Sequence, residues 1–179
     1  MSSENINELV RRAKNGDKEA FGDLYENYSR EMYRFALWYL GDRYFAEDAV
    51  SEAAINAFVG IKNVRDTEKF KSWLFTILLR SCQKQLKNIV GMRRGVDINM
   101  VQKESENISP EESAEIRTAL TLLSDEDREI LLLSALGNLS SKEIGQIFSM
   151  PSGTVRSKLS RSTDKLYSVL NERSVRNGK

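Results

Sequence analysis

Nearly every apolar segment of this chain repeats at the spacing of an α-helix, and no segment sustains the alternation of a β-strand. The clearest case lies between residues 46 and 61, where apolar side chains recur three or four positions apart and are expected to face a core. These side chains are Ala46, Ala49, Val50, Ala53, Ala54, Ala57, Phe58 and Ile61. The pattern predicts an all-α protein.

The spacing of the apolar residues also predicts two domains. Periodicity is lost in the polar stretch from Gly91 to Ser109, and so long a structureless segment is unusual inside one compact domain. It restarts at Pro110, which follows a capping serine and precedes glutamates, as at a helix N-terminus. We predict a helical domain over residues 1–90, a flexible linker over 91–109 and a second helical domain over 110–179.

Composition excludes several classes of protein. There is no histidine and one cysteine, Cys82, so an internal disulfide, a zinc site and a histidine-based triad have almost nothing to build on. No apolar run approaches the roughly 18 residues of a membrane span, and the N-terminus lacks the pattern of a signal peptide. We therefore expect a cytoplasmic protein without membrane insertion, catalytic residues, metal or cofactor.

The formal net charge of +1 conceals a strong segregation of charge. Residues 71–95 carry six bases and no acid, residues 96–129 carry ten acids and three bases, and residues 140–179 carry eight bases and three acids. Two basic blocks on either side of an acidic one indicate two cationic surfaces, although solvated helix faces can also produce such runs.

The last two predicted helices have the spacing of a helix-turn-helix. Gly145 stands where the helices would cross, Ser149 begins the turn, and Val155 would anchor the second helix to the first. The pattern leaves Arg156, Ser157, Ser160 and Arg161 on the outer face, where a recognition helix meets the major groove. The two arginines suit guanine contacts, and Thr154 and Lys158 suit phosphates.

Two longer stretches carry a resemblance to a known family. The stretch "LSSKEIGQIFSMPSGTVRSKLSRSTDKL" resembles the C-terminal promoter-binding region of extracytoplasmic-function (ECF) sigma factors of the sigma-70 family. The stretch "FGDLYENYSREMYRFALWYLGDRYFAEDAVSEAAINAFVGI", with "FKSWLFTIL" after it, resembles their N-terminal helical region. Both occur in the family's order and cover nearly the whole chain.

The resemblance implies partners and roles for particular residues. The family binds core RNA polymerase, and the implied polymerase-binding residues here are Asp48, Ser51, Glu52 and Asn56. The implied contacts to a melted −10 element are Val64, Arg65, Asp66, Thr67, Lys69, Lys71, Arg80 and Lys84. The implied contacts to a double-stranded −35 element are Pro151, Gly153, Thr154, Arg156, Ser157, Lys158, Ser160 and Arg161. Phe70 and Trp73 are assigned to the core, and an anti-sigma factor is an expected partner.

The chain departs from the family pattern at several of these places. Ser51 stands where a glutamine is usual, and Arg80 where an asparagine is usual. Gly145 replaces an alanine and Ser149 a glycine, a pair of changes expected to loosen the turn.

The function implied is transcription initiation at the promoters of a stress-responsive or signal-responsive gene set. The alternative is a stand-alone helix-turn-helix regulator that binds DNA without polymerase, although no dimerisation heptad is present. A helical adaptor protein would leave the arrangement from Gly153 to Arg161 unexplained. An enzyme is the least expected class, because the sequence contains neither a histidine nor a Walker-type phosphate-binding loop.

Overall fold

A computed structural model describes residues 3–93 and 110–177, and within these residues the chain forms eight α-helices and no strand. The chain divides into two compact units, residues 1–100 and 101–179. The prediction of an all-α fold is confirmed.

The N-terminal unit contains four α-helices and two short 3-10 turns. The helices are α1 (Ser3–Lys14), α2 (Lys18–Leu40), α3 (Arg43–Gly60) and α4 (Phe70–Arg93), and the 3-10 turns are Ile61–Asn63 and Thr67–Lys69. Residues 91–93, assigned by prediction to the linker, continue α4. One glycine inside a helix costs only about 1 kcal/mol, and Ile89 still packs in the core one turn before the end of α4.

Local sequence signals fix the helix ends in this unit. The carboxylate of Asp17 accepts from the amide of Ala20 at 3.0 Å, and that of Asp42 accepts from Phe45 at 3.1 Å, so each aspartate caps the helix that follows it. Gly41 ends α2 at φ +71°, in the left-handed region where glycine is least costly.

The core of the N-terminal unit lies between α2, α3 and α4. Its largest fully buried side chains include Met32, Phe35, Phe70 and Phe75, and the rings of Phe35 and Phe75 meet edge to face. Phe70 is buried as predicted, whereas Trp73 is only partly buried.

One expectation for α3 is wrong, because Phe58 is 46% exposed instead of facing the core. It follows Ala57, the last fully buried residue of that helix, by one position, and one position turns the helix by about 100°. Its ring rests edge-on against Phe21 of α2, with ring centroids 5.1 Å apart.

The C-terminal unit consists of three shorter helices packed on a long one. These are α5 (Pro110–Leu120), α6 (Asp125–Ala135), α7 (Ser141–Ile147) and α8 (Ser152–Asn177). Ile130 and Leu133 of α6, Ile144 of α7 and Val155 of α8 are fully buried together in its core. Ser124 caps α6, whereas the predicted cap at Ser109 lies outside the described residues.

Candidate nucleic-acid interface

The turn between α7 and α8 is held by backbone contacts around Gly145. Ser140 and Glu143 form a capping box at the start of α7. At the other end, the amide of Met150 donates to the carbonyl of Gly145 at 2.8 Å. A Cβ atom on Gly145 would lie 2.6 Å from the carbonyl oxygen of Met150, closer than such atoms approach in proteins. Glycine is therefore required for this turn.

Ser149 begins the turn at φ +55°, in the left-handed region that costs a non-glycine residue about 1 kcal/mol or more. The expectation that Gly145 loosens the turn is wrong, because an alanine at that position would clash with backbone. In this chain the close backbone approach that requires a glycine is at position 145, and a serine occupies the left-handed position 149. The hydrogen bond from Met150 to Gly145 closes the turn.

Six of the eight residues predicted to contact the −35 element lie exposed on the outer side of α8, and a seventh, Pro151, is exposed just before the helix begins. Val155 is fully buried and fixes which side of the helix faces inward. The side chains of Ser157 and Arg161 are ordered along the helix, since each donates to a backbone carbonyl one turn earlier. The exposed members of the set are Pro151, Gly153, Thr154, Arg156, Ser157, Ser160 and Arg161.

Lys158 is the member that the structure separates from this face. Its side chain is 20% exposed, and its ammonium lies 2.8 Å from Glu126 and 2.8 Å from Asp127 in the first turn of α6. These contacts raise the pKa of Lys158, Asp127 contributing most, and Lys158 in turn lowers the pKa of Asp127. Lys158 is thus a partly buried cation that joins α6 to α8.

In the N-terminal unit, the loop that leads into α4 is tied down at two points. Val64 is buried, and its backbone carbonyl accepts from the ammonium of Lys14. Asp66 accepts from the amide of Glu68 at 3.0 Å and so caps the second 3-10 turn. Arg65 and Lys69 are exposed, and Thr67 is partly exposed. The loop therefore presents polar side chains on a fixed backbone.

Lys71, predicted as a −10 contact, is engaged inside the unit. Its ammonium lies 2.8 Å from Glu31 and about 6 Å from the ring centroids of Tyr28 and Phe75. Burial raises the pKa of the Tyr28 hydroxyl, and the nearby Glu31 carboxylate raises it further. Lys71 is only partly exposed, and its contacts join α4 to α2.

A cleft of about 420 Å³ between α3 and α4 brings together four of the other predicted residues, two from each set. Arg80 and Lys84 come from the predicted −10 set, and Glu52 and Asn56 come from the predicted polymerase-binding set. Lys84 and Glu52 form an ion pair of 2.8 Å across it. Its lining also includes Gly60, Asn63, Trp73, Ile77 and Ser81. The two predicted surfaces of this unit therefore meet at one cleft.

The sequence prediction missed exposed apolar residues on the outer side of α3. Ile55 is 65% exposed and Val59 is 74% exposed, and they continue the row begun by Asp48 and Ser51 at helical spacing. The available signal was their offset from Ala53 and Ala57: each lies two positions after one of these buried alanines, about 200° around the helix.

No helix in the described parts of the chain is long and apolar enough to cross a membrane. Among the same residues, no group of three or more metal-ligating side chains is placed to hold an ion.

Comparison with known families supports the sequence resemblance. The family described as "Sigma-70 region 2" matches residues 24–89, and "Sigma-70, region 4" matches residues 113–166. The first match contains α3, most of α4 and their cleft, and the second contains α6, α7 and the outer face of α8.

Three similar curated proteins are all RNA polymerase sigma factors. SigW of Bacillus subtilis is 28% identical over 93% of this chain and 97% of its own length. The sigma-H factor of Pseudomonas aeruginosa is 26% identical over 95% of this chain and 96% of its own length. The sigma-E factor of Escherichia coli K12 is 28% identical over 88% of this chain and 90% of its own length.

Two solved structures share the fold. CnrH, in complex with the cytosolic domain of CnrY, superposes with a TM-score of 0.75 at 20% identity and covers 94% of this chain and 98% of its own. RpoE of Bartonella quintana, in complex with the anti-sigma factor NepR, superposes with a TM-score of 0.68 at 24% identity and covers 83% and 97%.

The two sigma-70 regions occur in order and together cover about two thirds of the chain. The relatives match over nearly their full length, and the predicted resemblance is confirmed. The chain belongs to the ECF sigma factors of the sigma-70 family, the subunits that bind core RNA polymerase and direct it to promoters.

Proposed function

We propose that the two units of this sigma factor bind the two promoter elements through different kinds of contact. The observation that carries the proposal is the exposed outer face of α8, which follows a rigid turn and presents Arg156 and Arg161. Arginines on the first turns of a recognition helix reach base edges in the major groove, and the nearby helix N-terminus accommodates a phosphate. This face binds the −35 element.

The loop from Arg65 to Lys69 and the cleft between α3 and α4 bind the melted −10 element. An unstacked base needs a recess and a nearby cation, and the cleft offers a partly buried Trp73 beside Arg80. Arg80 carries no ion pair to another described side chain, so its charge is available to a single strand. Lys84 contributes a second cation when its ammonium leaves the Glu52 carboxylate and binds a phosphate of the strand.

The outer side of α3 binds core polymerase. Its row of polar residues includes Asp48 and Ser51, and the exposed Ile55 and Val59 extend it with apolar area. An acidic rim around an apolar strip suits a partner helix that carries basic and apolar residues. Ile55 and Val59 join the predicted polymerase-binding set on this basis.

The protein acts as a binding subunit in the cytoplasm, where its polymerase is found, and catalyses no reaction itself. We also propose an anti-sigma factor as its regulator, acting on a stress-responsive or signal-responsive gene set. Of the similar structures, RpoE was solved with the anti-sigma factor NepR bound, and CnrH with the cytosolic domain of CnrY bound.

Recovery of DNA with and without core polymerase tests the proposal. The full chain is incubated with a pool of genomic fragments, alone or with bacterial core enzyme, and the bound fragments are sequenced. We expect a defined set of fragments only when both proteins are present, because two weak contacts add strongly when one scaffold holds them. Enrichment of fragments by the chain alone would favour a stand-alone regulator. The variant Ile55→Asp tests core binding separately, because it changes the proposed polymerase-binding surface and leaves the DNA-binding residues intact. Tyr167→Asp, at an exposed position on α8, is its control.

A further inference from the structure

Lys158 lies on the edge of the packed side of α8 and not on its outer face. It follows the fully buried Val155 by three residues and precedes the buried Ser162 by four, which places it on the same flank of the helix. Its side chain is 20% exposed, whereas the flanking Ser157 and Ser160 are exposed. The direction of this side chain is therefore toward α6.

The ammonium of Lys158 already faces two negative charges. Its distances to Glu126 and Asp127 are both 2.8 Å, so one positive charge stands against two carboxylates. An ammonium has three donors, and two of them are directed at these groups. To bind this ammonium, a DNA phosphate would have to displace two carboxylates, and Arg161 also lies close enough to Asp127 to lower its pKa.

The same contact fixes α8 relative to α6. It joins residues 31 positions apart, and it holds the second turn of α8 against the first turn of α6. Arg156 lies two residues before Lys158 on α8, and Arg161 lies three residues after it. Because base contacts tolerate errors of only about half an ångström, a shift of this segment would misplace both arginines together.

We infer that Lys158 is a positioning residue: it holds α8 at the angle at which Arg156 and Arg161 reach the −35 element, and it does not itself bind a phosphate. The inference rests on the proposed function of α8. It changes the role assigned to Lys158 from a contact to a support, and it adds Glu126 and Asp127 to the residues that determine promoter binding.

Salt dependence distinguishes the two roles. Holoenzyme is assembled from core polymerase and the full chain, and its affinity for a promoter fragment recovered with the wild-type protein is measured over a range of salt concentrations. Lys158→Met, Arg156→Met and Arg161→Met remove the same single charge from the same helix segment. We expect the slope of log affinity against log salt to fall by about 0.9 for an arginine that meets the DNA. For Lys158→Met we expect affinity to fall about tenfold with the slope unchanged.

Replacing the carboxylates also distinguishes the two roles, because the two roles predict changes of opposite sign in promoter affinity. Asp127→Asn removes a partner of Lys158, and Asp125→Asn removes a neighbouring acid of the same helical turn that pairs with Arg128 instead. If Lys158 positions α8, Asp127→Asn weakens promoter binding, Asp125→Asn does not, and combining Asp127→Asn with Lys158→Met is no worse than Lys158→Met alone. If Lys158 binds phosphate, Asp127→Asn frees its ammonium and promoter binding becomes tighter, which overturns the inference.

Two further results keep the interpretation separate from folding and from the proposed function. Lys158→Arg retains the ion pairs and should restore most of the affinity, and all measurements are made well below the unfolding transition of each variant. A lower salt slope for Lys158→Met, equal to that of an arginine variant, overturns the inference while the proposed function stands. Arginine variants that bind the promoter as the wild type does contradict the proposed function of α8, and the inference falls with it.

Discussion

The two units are alike in one respect, since each contains a partly buried lysine whose ammonium is held by carboxylates of the same unit. In the N-terminal unit Lys71 pairs with Glu31 under two aromatic rings, and in the C-terminal unit Lys158 pairs with Glu126 and Asp127. The arginines of the same basic blocks, Arg80 and Arg156, are exposed. A basic run in a sequence therefore mixes cations that stabilise the fold with cations available to a ligand.

The units differ in how tightly their turns are closed. The C-terminal unit depends on one close backbone approach at Gly145, whereas the N-terminal unit uses aspartate caps and leaves a cleft between α3 and α4. The difference fits the two kinds of DNA assigned to them. A duplex groove requires a rigid helix, and an unstacked base requires an open recess.

The largest effect that would separate the units is expected for Gly145→Ala. The added methyl would press on the carbonyl of Met150, and a backbone atom cannot move aside as a flexible side chain can. We expect a loss of about 2–3 kcal/mol confined to the C-terminal unit. Hydrogen exchange of the full chain measures each unit separately, and equal loss of protection in α3 and α4 would contradict this account. Gly22→Ala, where a Cβ meets nothing within 4 Å, is the control.

The next effect concerns the internal lysine of the N-terminal unit. Lys71→Met leaves the Glu31 carboxylate partly buried without its cation, since that side chain is 33% exposed. We expect the free energy of unfolding to fall by about 1–2 kcal/mol. The matched change Arg80→Met, on the exposed side of the same helix, should alter it by less than about 0.5 kcal/mol. Denaturant unfolding of both variants checks the difference, and equal losses would show that Lys71 is a surface cation.

The corresponding pair in the C-terminal unit predicts a dependence on pH. Lys158 lowers the pKa of Asp127, so the carboxylate contributes stability above its unfolded pKa of about 3.9 and loses it as the pH falls through the lower folded pKa. We expect Asp127→Asn to be about 1 kcal/mol less stable than the wild type near pH 7, and the difference to shrink as the pH falls below about 4. Unfolding of both proteins across that range is the measurement, and a difference that does not change with pH would implicate packing instead of charge.

A small gain is expected at the turn itself. Ser149→Gly removes the strain of a left-handed serine but adds the chain entropy of glycine, so we expect a net stabilisation of about 0.5 kcal/mol. Thermal unfolding measures it, with Ser168→Gly as an exposed control in the interior of α8 that should destabilise. A loss of stability in Ser149→Gly would show that the serine side chain makes a compensating contact.

The smallest effect on folding is expected at the cleft between α3 and α4. Lys84 is 63% exposed, so its ion pair with Glu52 resembles a surface pair and contributes about 0.5 kcal/mol or less. Lys84→Met should therefore leave unfolding nearly unchanged while weakening holoenzyme binding to a single-stranded −10 fragment. Lys62→Met, an exposed cation after α3 that lies outside the predicted set, is the matched control.

Much of the fold could be predicted from the sequence because its signals are local. The caps at Asp17, Ser124 and Ser140 and the glycine at position 41 each act within a few residues. The helix-turn-helix was predicted from spacing alone for the same reason. The outward positions of Arg156 and Arg161 follow from the buried Val155.

The remainder could not be predicted because it depends on contacts between distant parts of the chain. Lys71 and Lys158 look like other lysines in the sequence until Glu31 and Asp127 are brought beside them by folding. The need for glycine at position 145 arises from where the backbone of Met150 passes. At such positions the role of a residue cannot be inferred from its place in a family motif, because it depends on contacts that only the fold creates.

Transcription reconstituted from core polymerase, this protein and genomic promoter fragments tests the central claim most directly, with the 5′ ends of the transcripts sequenced. The account predicts specific starts that require the protein and that are lost when Arg156→Ala and Arg161→Ala are combined, since each good base contact is worth about 1–3 kcal/mol. Starts that persist at the same positions and levels with the double variant would contradict the claim that the outer face of α8 binds the promoter.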